Sequence, residues 1–163
     1  MLLVEFIVLG KPVPANEPDR LLLDAWKRQV RDVARNSLQL RALPTVELSL
    51  RLTHYFDLPL GEEDLLPDAQ AIAKPIVEAL QGILFSKTEQ IVEIICLQRN
   101  LNSSFRIRSL SSPLAMGLHL GGEFVHAIFA LHIRDPYLQQ YPVQFENDNF
   151  SSGGALWLGL DKV

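Results

Sequence analysis

Lys27, Arg31 and Arg35 recur at i, i+4 and i+8, a spacing that stacks three cations along one face of a helix. Such an unpaired ridge suits a run of phosphates, because each neutralised phosphate releases condensed counterions. Its alternative is an ordinary solvated helix face; Arg28, flanked by Asp24 and Asp32, lies off the ridge. The acids offer less. Asp68 and Glu78 are separated by about 15 Å on a regular helix at ~1.5 Å per residue, too far to share one ion. Glu62, Glu63 and Asp64 form a charge run in a polar loop, a pattern that is ordinarily solvated. His126 and His132 fall on one strand face but about 20 Å apart, which excludes a shared metal, and His54 and His119 have no partner motif. The serines lack a G-x-S-x-G elbow, and neither a P-loop nor a G-x-G-x-x-G turn occurs.

These residues need elements to position them. Residues 2–9 form an apolar run that ends at Gly10 and the Pro12/Pro14 pair, which predicts a buried strand. From Arg20 to Leu38, Leu22, Trp26, Val30 and Val33 recur at helical spacing behind Asp19, a suitable N-cap. In 44–56, Val46, Leu48, Leu50 and Leu52 alternate with Glu47, Ser49, Arg51 and Thr53, the pattern of a strand with one wet face. A helix is expected over about 68–81, with its regular part starting near Lys74 so that Pro75 sits in the first turn. A third strand is expected over 88–98. A short helix follows over 111–120, with Pro113 early and Gly121-Gly122 at its end, and then an alternating fourth strand over 123–133. The order predicts an α+β fold, about four strands in a small mixed or antiparallel sheet with helices on one face. Residues 1–133 make up that domain. Residues 134–163 read as an irregular C-terminal extension whose apolar stretch Ala155–Leu160 should dock on the body or on a partner chain.

A chain of 163 residues suffices for one core. The single Cys96, in an apolar run, excludes an intrachain disulfide and fits a buried thiol in a reducing cytoplasm. The apolar runs are too short to span a membrane, and the start lacks the order of a signal peptide, so a cytoplasmic location is expected. The net charge of −4 argues against indiscriminate polyanion binding. Residues 20–41, however, carry six basic side chains against two acidic ones, which keeps a local nucleic-acid face open.

The segment from Pro67 to Ile83, with Gln90-Ile91 beyond it, resembles the signature of the RusA family of Holliday junction resolvases. That signature reads approximately P-D-x-D-N-x-x-K-P-I-x-D-A-L-x-G, followed by an aspartate pair and Q-I. Pro67, Asp68, Lys74, Pro75, Ile76, Ala79, Leu80, Gly82, Gln90 and Ile91 fit, and Glu78 stands for the second helix aspartate. Gln70-Ala71 replace the D-N, and Lys87-Thr88 replace the aspartate pair. Glu5 to Pro14 also looks like the family's opening strand and proline-rich turn, and Trp26 to Ala34 like its first helix.

The resemblance implies a metal-dependent endodeoxyribonuclease of recombination or repair, working as a homodimer whose two sites match the two-fold symmetry of a four-way junction. It makes Asp68 a Mg2+ ligand, together with the positions held here by Gln70 and Thr88, and has Lys74 contact the scissile phosphate or orient the nucleophile. Phosphodiester hydrolysis needs a cation held by carboxylates. Glutamine brings no charge, and Lys87 sets a like charge beside the ion, so the resemblance implies a weak or absent Mg2+ site. Glu89, next to Thr88, points to the opposite face of a regular strand and offers no replacement. The expected function is that of a catalytically degenerate relative that binds branched DNA through Lys27, Arg31, Arg35 and Lys74. The alternatives are an active Mg2+-dependent structure-selective endonuclease and a dimeric protein-interaction module without nucleic-acid binding.

Overall fold

The computed structural model describes residues 2–38 and 42–132, together with the backbone of 156–158. Strand β1, Leu2–Leu9, buries Val4, Phe6 and Val8 on one face. It ends at Gly10, whose φ of 101° favours glycine, and the Gly10 N–H donates to the Glu123 carbonyl at 2.8 Å. Helix α1, Arg20–Ser37, starts where the Asp19 side chain accepts from the Leu21 and Leu22 N–H groups. Trp26, Val30 and Ala34 are its buried positions. Leu22 is 48% exposed, contrary to its place in the expected stripe. Leu23, two full turns before Val30 and hence on its face, packs on the core instead.

Strands β2, Leu48–Phe56, and β3, Ile91–Asn100, are parallel neighbours joined through helix α2, Ala69–Leu80. Helix α2 starts before Lys74, so Pro75 lies in its interior rather than in its first turn. A proline there cannot donate to the carbonyl four residues back. That carbonyl, on Ala71, accepts instead from the Ala15 N–H at 2.8 Å, which fastens the proline-rich turn to the helix. The segment expected to open the third strand, Thr88–Gln90, is a 3-10 turn, and β3 begins after it.

Helix α3, Ser112–Leu120, is capped by the Ser111 side chain and ended by Gly121 with φ 75°. Strand β4, Phe124–Leu131, lies antiparallel between β1 and β2. The backbone of Leu156–Leu158 forms β5 along the other side of β3, with Leu156 opposite Cys96. These three residues lie within the apolar stretch expected to dock, and they form a strand on the body. The rest of 134–163, Ile133 and the boundary expected between 133 and 134 lie outside the described residues. The sheet is mixed, in the order β1-β4-β2-β3-β5, and the class is α+β.

The helices do not share one face. Leu48, Leu50, Leu52, Ile94, Cys96, Val125, Ala127 and Phe129 form a core with β1, α1 and α2. Helix α3 covers the opposite face, where Leu114 packs with Tyr55 and Phe124. The wet face expected for β2 is therefore closed at its end: Thr53 and Tyr55 are 5% and 3% exposed. Gly117 permits that closeness, since a Cβ there would stand 2.7 Å from the Phe124 ring.

Candidate functional site

The crossover β2-α2-β3 carries every residue that the family signature matches. Asp68 sits at the N-cap of α2, exposed, and its side chain makes no capping hydrogen bond. This end of the helix is pinned to the C-terminal half of β3, where the Gln98 side-chain amide donates to the Pro67 carbonyl at 2.9 Å. Gln70 and Lys74, one turn apart on α2, are both exposed. Gly82, just past the helix, has φ 84°, the left-handed conformation that ends helices at low cost for glycine.

Lys87 and Thr88 lie elsewhere. They precede β3, beside the start of β2, where the Gln90 side chain donates to the Pro44 carbonyl at 2.7 Å and accepts from the Ser86 and Lys87 N–H groups. From Ile91 to Gln98 the strand runs about 23 Å at ~3.3 Å per residue. The two halves of the implied metal cluster thus stand at opposite ends of α2 and β3. Within one chain no ion can touch both. Among the described residues no group of three or more His, Cys, Asp or Glu side chains is placed to hold a metal. The residues do not fit the Mg2+ site that the resemblance implies. No family model, curated protein or solved structure matches the chain. The resemblance rests on the residues of the chain itself, the signature stretch together with 5–14 and 26–34.

The basic ridge is not unpaired. Lys27 Nζ lies 2.7 Å from Glu78 Oε2, and Arg31 Nε donates to the Ala79 carbonyl at 3.3 Å, so both side chains bridge α1 to α2. Arg35 is exposed, and its guanidinium is 4.0 Å from Asp32. The periodicity is right, but α2 takes up two of the three cations. Glu78, ten residues from Asp68, serves as a partner for Lys27 rather than as a ligand.

Cys96, on β3 near Asp68, is fully buried; burial pushes its thiol up to about 12, and the Asp68 charge adds to the rise. A thiol held protonated is neither a nucleophile nor a soft metal ligand.

Three of the four histidines, which show no partner in the sequence pattern, stand against glutamates. His54 Nε2 is 2.9 Å from Glu123 Oε2, His126 Nε2 is 2.6 Å from Glu5 Oε1, and His132 Nδ1 is 3.4 Å from Glu93 Oε2. Ser111 Oγ also donates to Glu5 Oε1, so one carboxylate oxygen accepts from the cap of α3 and from β4. Serine and histidine meet the same acid and not each other, which is a brace and not a nucleophilic triad. At the C-terminal end of β2 and β3 the loop acids are partly engaged. Asn100 reaches the Leu58 carbonyl and Glu63, Asn102 holds Asp57 at 2.8 Å, and Glu63 also accepts from the Gly61 N–H. Glu62 and Asp64 remain exposed. No helix of the described residues is long and apolar enough to cross a membrane.

Proposed function

We propose that this chain is a RusA-like protein that binds branched DNA in recombination or repair and has lost metal-dependent cleavage. The observation that carries the loss is the missing carboxylates. With Gln70 and Lys87-Thr88 at the signature positions, no group of three or more acids, histidines or cysteines among the described residues is placed around one cation, where hydrolysis needs several carboxylates. The family reading is supported by the way the signature stretch folds as one unit, with Asp68 at the cap, Lys74 exposed on the helix and Gly82 at the turn beyond it. A homodimer, matched to a two-fold symmetric junction, belongs to the same reading.

The test pairs binding with cleavage. Purified protein is titrated into a labelled four-way junction and into linear duplex at low salt, then incubated with each DNA in Mg2+ and in Mn2+. The expected result is preferential junction binding with no incision above a Lys74→Ala control. Paired incisions abolished by Asp68→Ala would overturn the loss of cleavage and make the chain an active endonuclease. Absence of junction binding would leave the protein-interaction module.

A further inference from the structure

The sheet face that carries α3 also holds a ladder of rings ending in a cation. Phe124 and Tyr55 stack with centroids 4.7 Å apart and planes at 19°. Tyr55 meets Phe105 at 5.7 Å, and the Arg99 guanidinium lies over the Phe105 ring at 5.7 Å from its centroid. Arg99 is opposite Tyr55 in the β2-β3 register, so the two share this face, as does Arg51 four residues before Tyr55. Phe105 and Arg99 are half-buried; Arg106 and Arg108 beside them are exposed.

The acids of this face, Glu5 and Glu93, stand against His126 and His132, away from the ring ladder. From Arg99 to Ser111 the chain has Arg99, Arg106 and Arg108 and no acid. Burial lowers the pKa of Arg51, and the nearby Arg99 charge lowers it further, the mark of like charges held together. One Arg99 N–H is used on the Arg106 carbonyl at 3.3 Å, which orients the guanidinium over the ring and leaves its other donors for an anion. The Arg106 side chain has no hydrogen-bond or ion-pair partner among the described residues.

Stacking platforms within a basic surface bind nucleotides whose bases are unpaired, because a base offers a π-face only when it leaves the duplex. A rim of arginines alone would suit any duplex; the ring under Arg99 adds the preference. We infer that Phe105, Arg99 and Arg106 form a binding surface for unpaired nucleotides at the branch of a DNA junction. This rests on the branched-DNA reading, but it moves the contact from the α1 ridge to the opposite face of the sheet.

Fluorescence anisotropy tests it on the full chain with three labelled DNAs: a four-way junction with unpaired thymidines at its centre, a fully paired junction, and duplex. The expected order of affinity is that order. Arg99→Gln combined with Arg106→Gln should weaken binding to the open junction at least tenfold. It should also flatten the slope of log K against log salt by about 1.4, at ~0.7 per single-strand phosphate contact. Phe105→Leu keeps an apolar side chain and should cost about fivefold or more on the open junction, in line with the stacking of one base, and little on duplex. Arg106→Glu alone, at an exposed side chain, should weaken binding without changing the thermal melt. If wild type binds junctions but the arginine variants stay within twofold at an unchanged slope, the surface is wrong and the branched-DNA reading survives. If wild type binds none of the three DNAs at low salt, both fall.

Discussion

Replacing Glu5 by alanine should destabilise the protein by about 3 kcal/mol. Its carboxylate side chain is 13% exposed and the His126 side chain only 7%, so water does not readily replace either partner. An ionised carboxylate is acceptor-only, so His126 Nε2 and Ser111 Oγ both donate to Glu5 Oε1. A hydrogen bond to a charged group contributes about 1.5–3 kcal/mol, and stranding a buried donor costs its desolvation as well. We assign about 2 kcal/mol to the imidazole and about 1 kcal/mol to the more accessible hydroxyl, which also caps α3. Against a total stability of about 5–15 kcal/mol this is a large fraction. The assay is urea denaturation followed by far-UV circular dichroism for wild type, Glu5→Ala, His126→Ala and the double variant. The coupling energy between the two sites should be about 1.5–2 kcal/mol, within the range for residues in direct contact. Glu5→Gln, which keeps a carbonyl acceptor, should lose about 1 kcal/mol only. A coupling below about 0.5 kcal/mol would refute the view that this pair ties β1 to β4 through its hydrogen bond.

Cys96, its thiol raised to about 12, should be almost entirely protonated at pH 8. A disulfide thiol reagent should therefore leave the native protein untouched and titrate one equivalent after unfolding, and fast stoichiometric reaction of native protein would contradict its burial. Gly117→Ala gains about 1 kcal/mol of helix propensity but drives a Cβ to 2.7 Å from the buried Phe124 ring, where overpacking costs about 1–3 kcal/mol. A lower urea midpoint is expected, and a raised one would show that the ring yields freely. Pro75→Ala restores an N–H that competes for the Ala71 carbonyl, so amide exchange at Ala15 should quicken about fivefold, the equivalent of ~1 kcal/mol. Unchanged protection at Ala15 would mean that the carbonyl serves both donors.

What depends on near neighbours was legible in the sequence. The Asp19 cap, the stop at Gly121, the existence of β1, the alternation of β4 and the helix between β2 and β3 all follow from residues within a turn or two of each other. What depends on distant partners was not. Glu5 meets His126 across 121 residues, Glu123 meets His54 across 69, and Glu78 meets Lys27 across 51, so no local spacing announces them. The same limit hid the side chosen by α3: a helix with little contrast between its faces does not state which surface it will cover. The helical period of Lys27, Arg31 and Arg35 was right, but periodicity identifies a face without saying whether it meets water or another helix. A proline inside a helix strands a carbonyl, which argues for Pro75 in a first turn; the Ala15 N–H removes that objection.

The strand order sets a timetable for synthesis. β1 and β2 leave the ribosome first, yet they never pair with each other, because β4 lies between them. The unit β2-α2-β3 can close as soon as residue 100 has emerged, since its pairing is a parallel crossover of neighbouring segments. Among the described residues β1 has no sheet partner other than β4, and it must wait for residues 124–131. Throughout that interval two apolar strand edges, on β1 and on β2, face the medium, and such edges are where nascent chains associate wrongly. The Gln29 side chain, which donates to the Leu9 carbonyl at 2.6 Å, and the turn held by Ala15 give β1 a helical neighbour before its strand arrives. Chains stopped short of β4 should accumulate as insoluble half-sheets, whereas chains that include it close both edges in a single insertion.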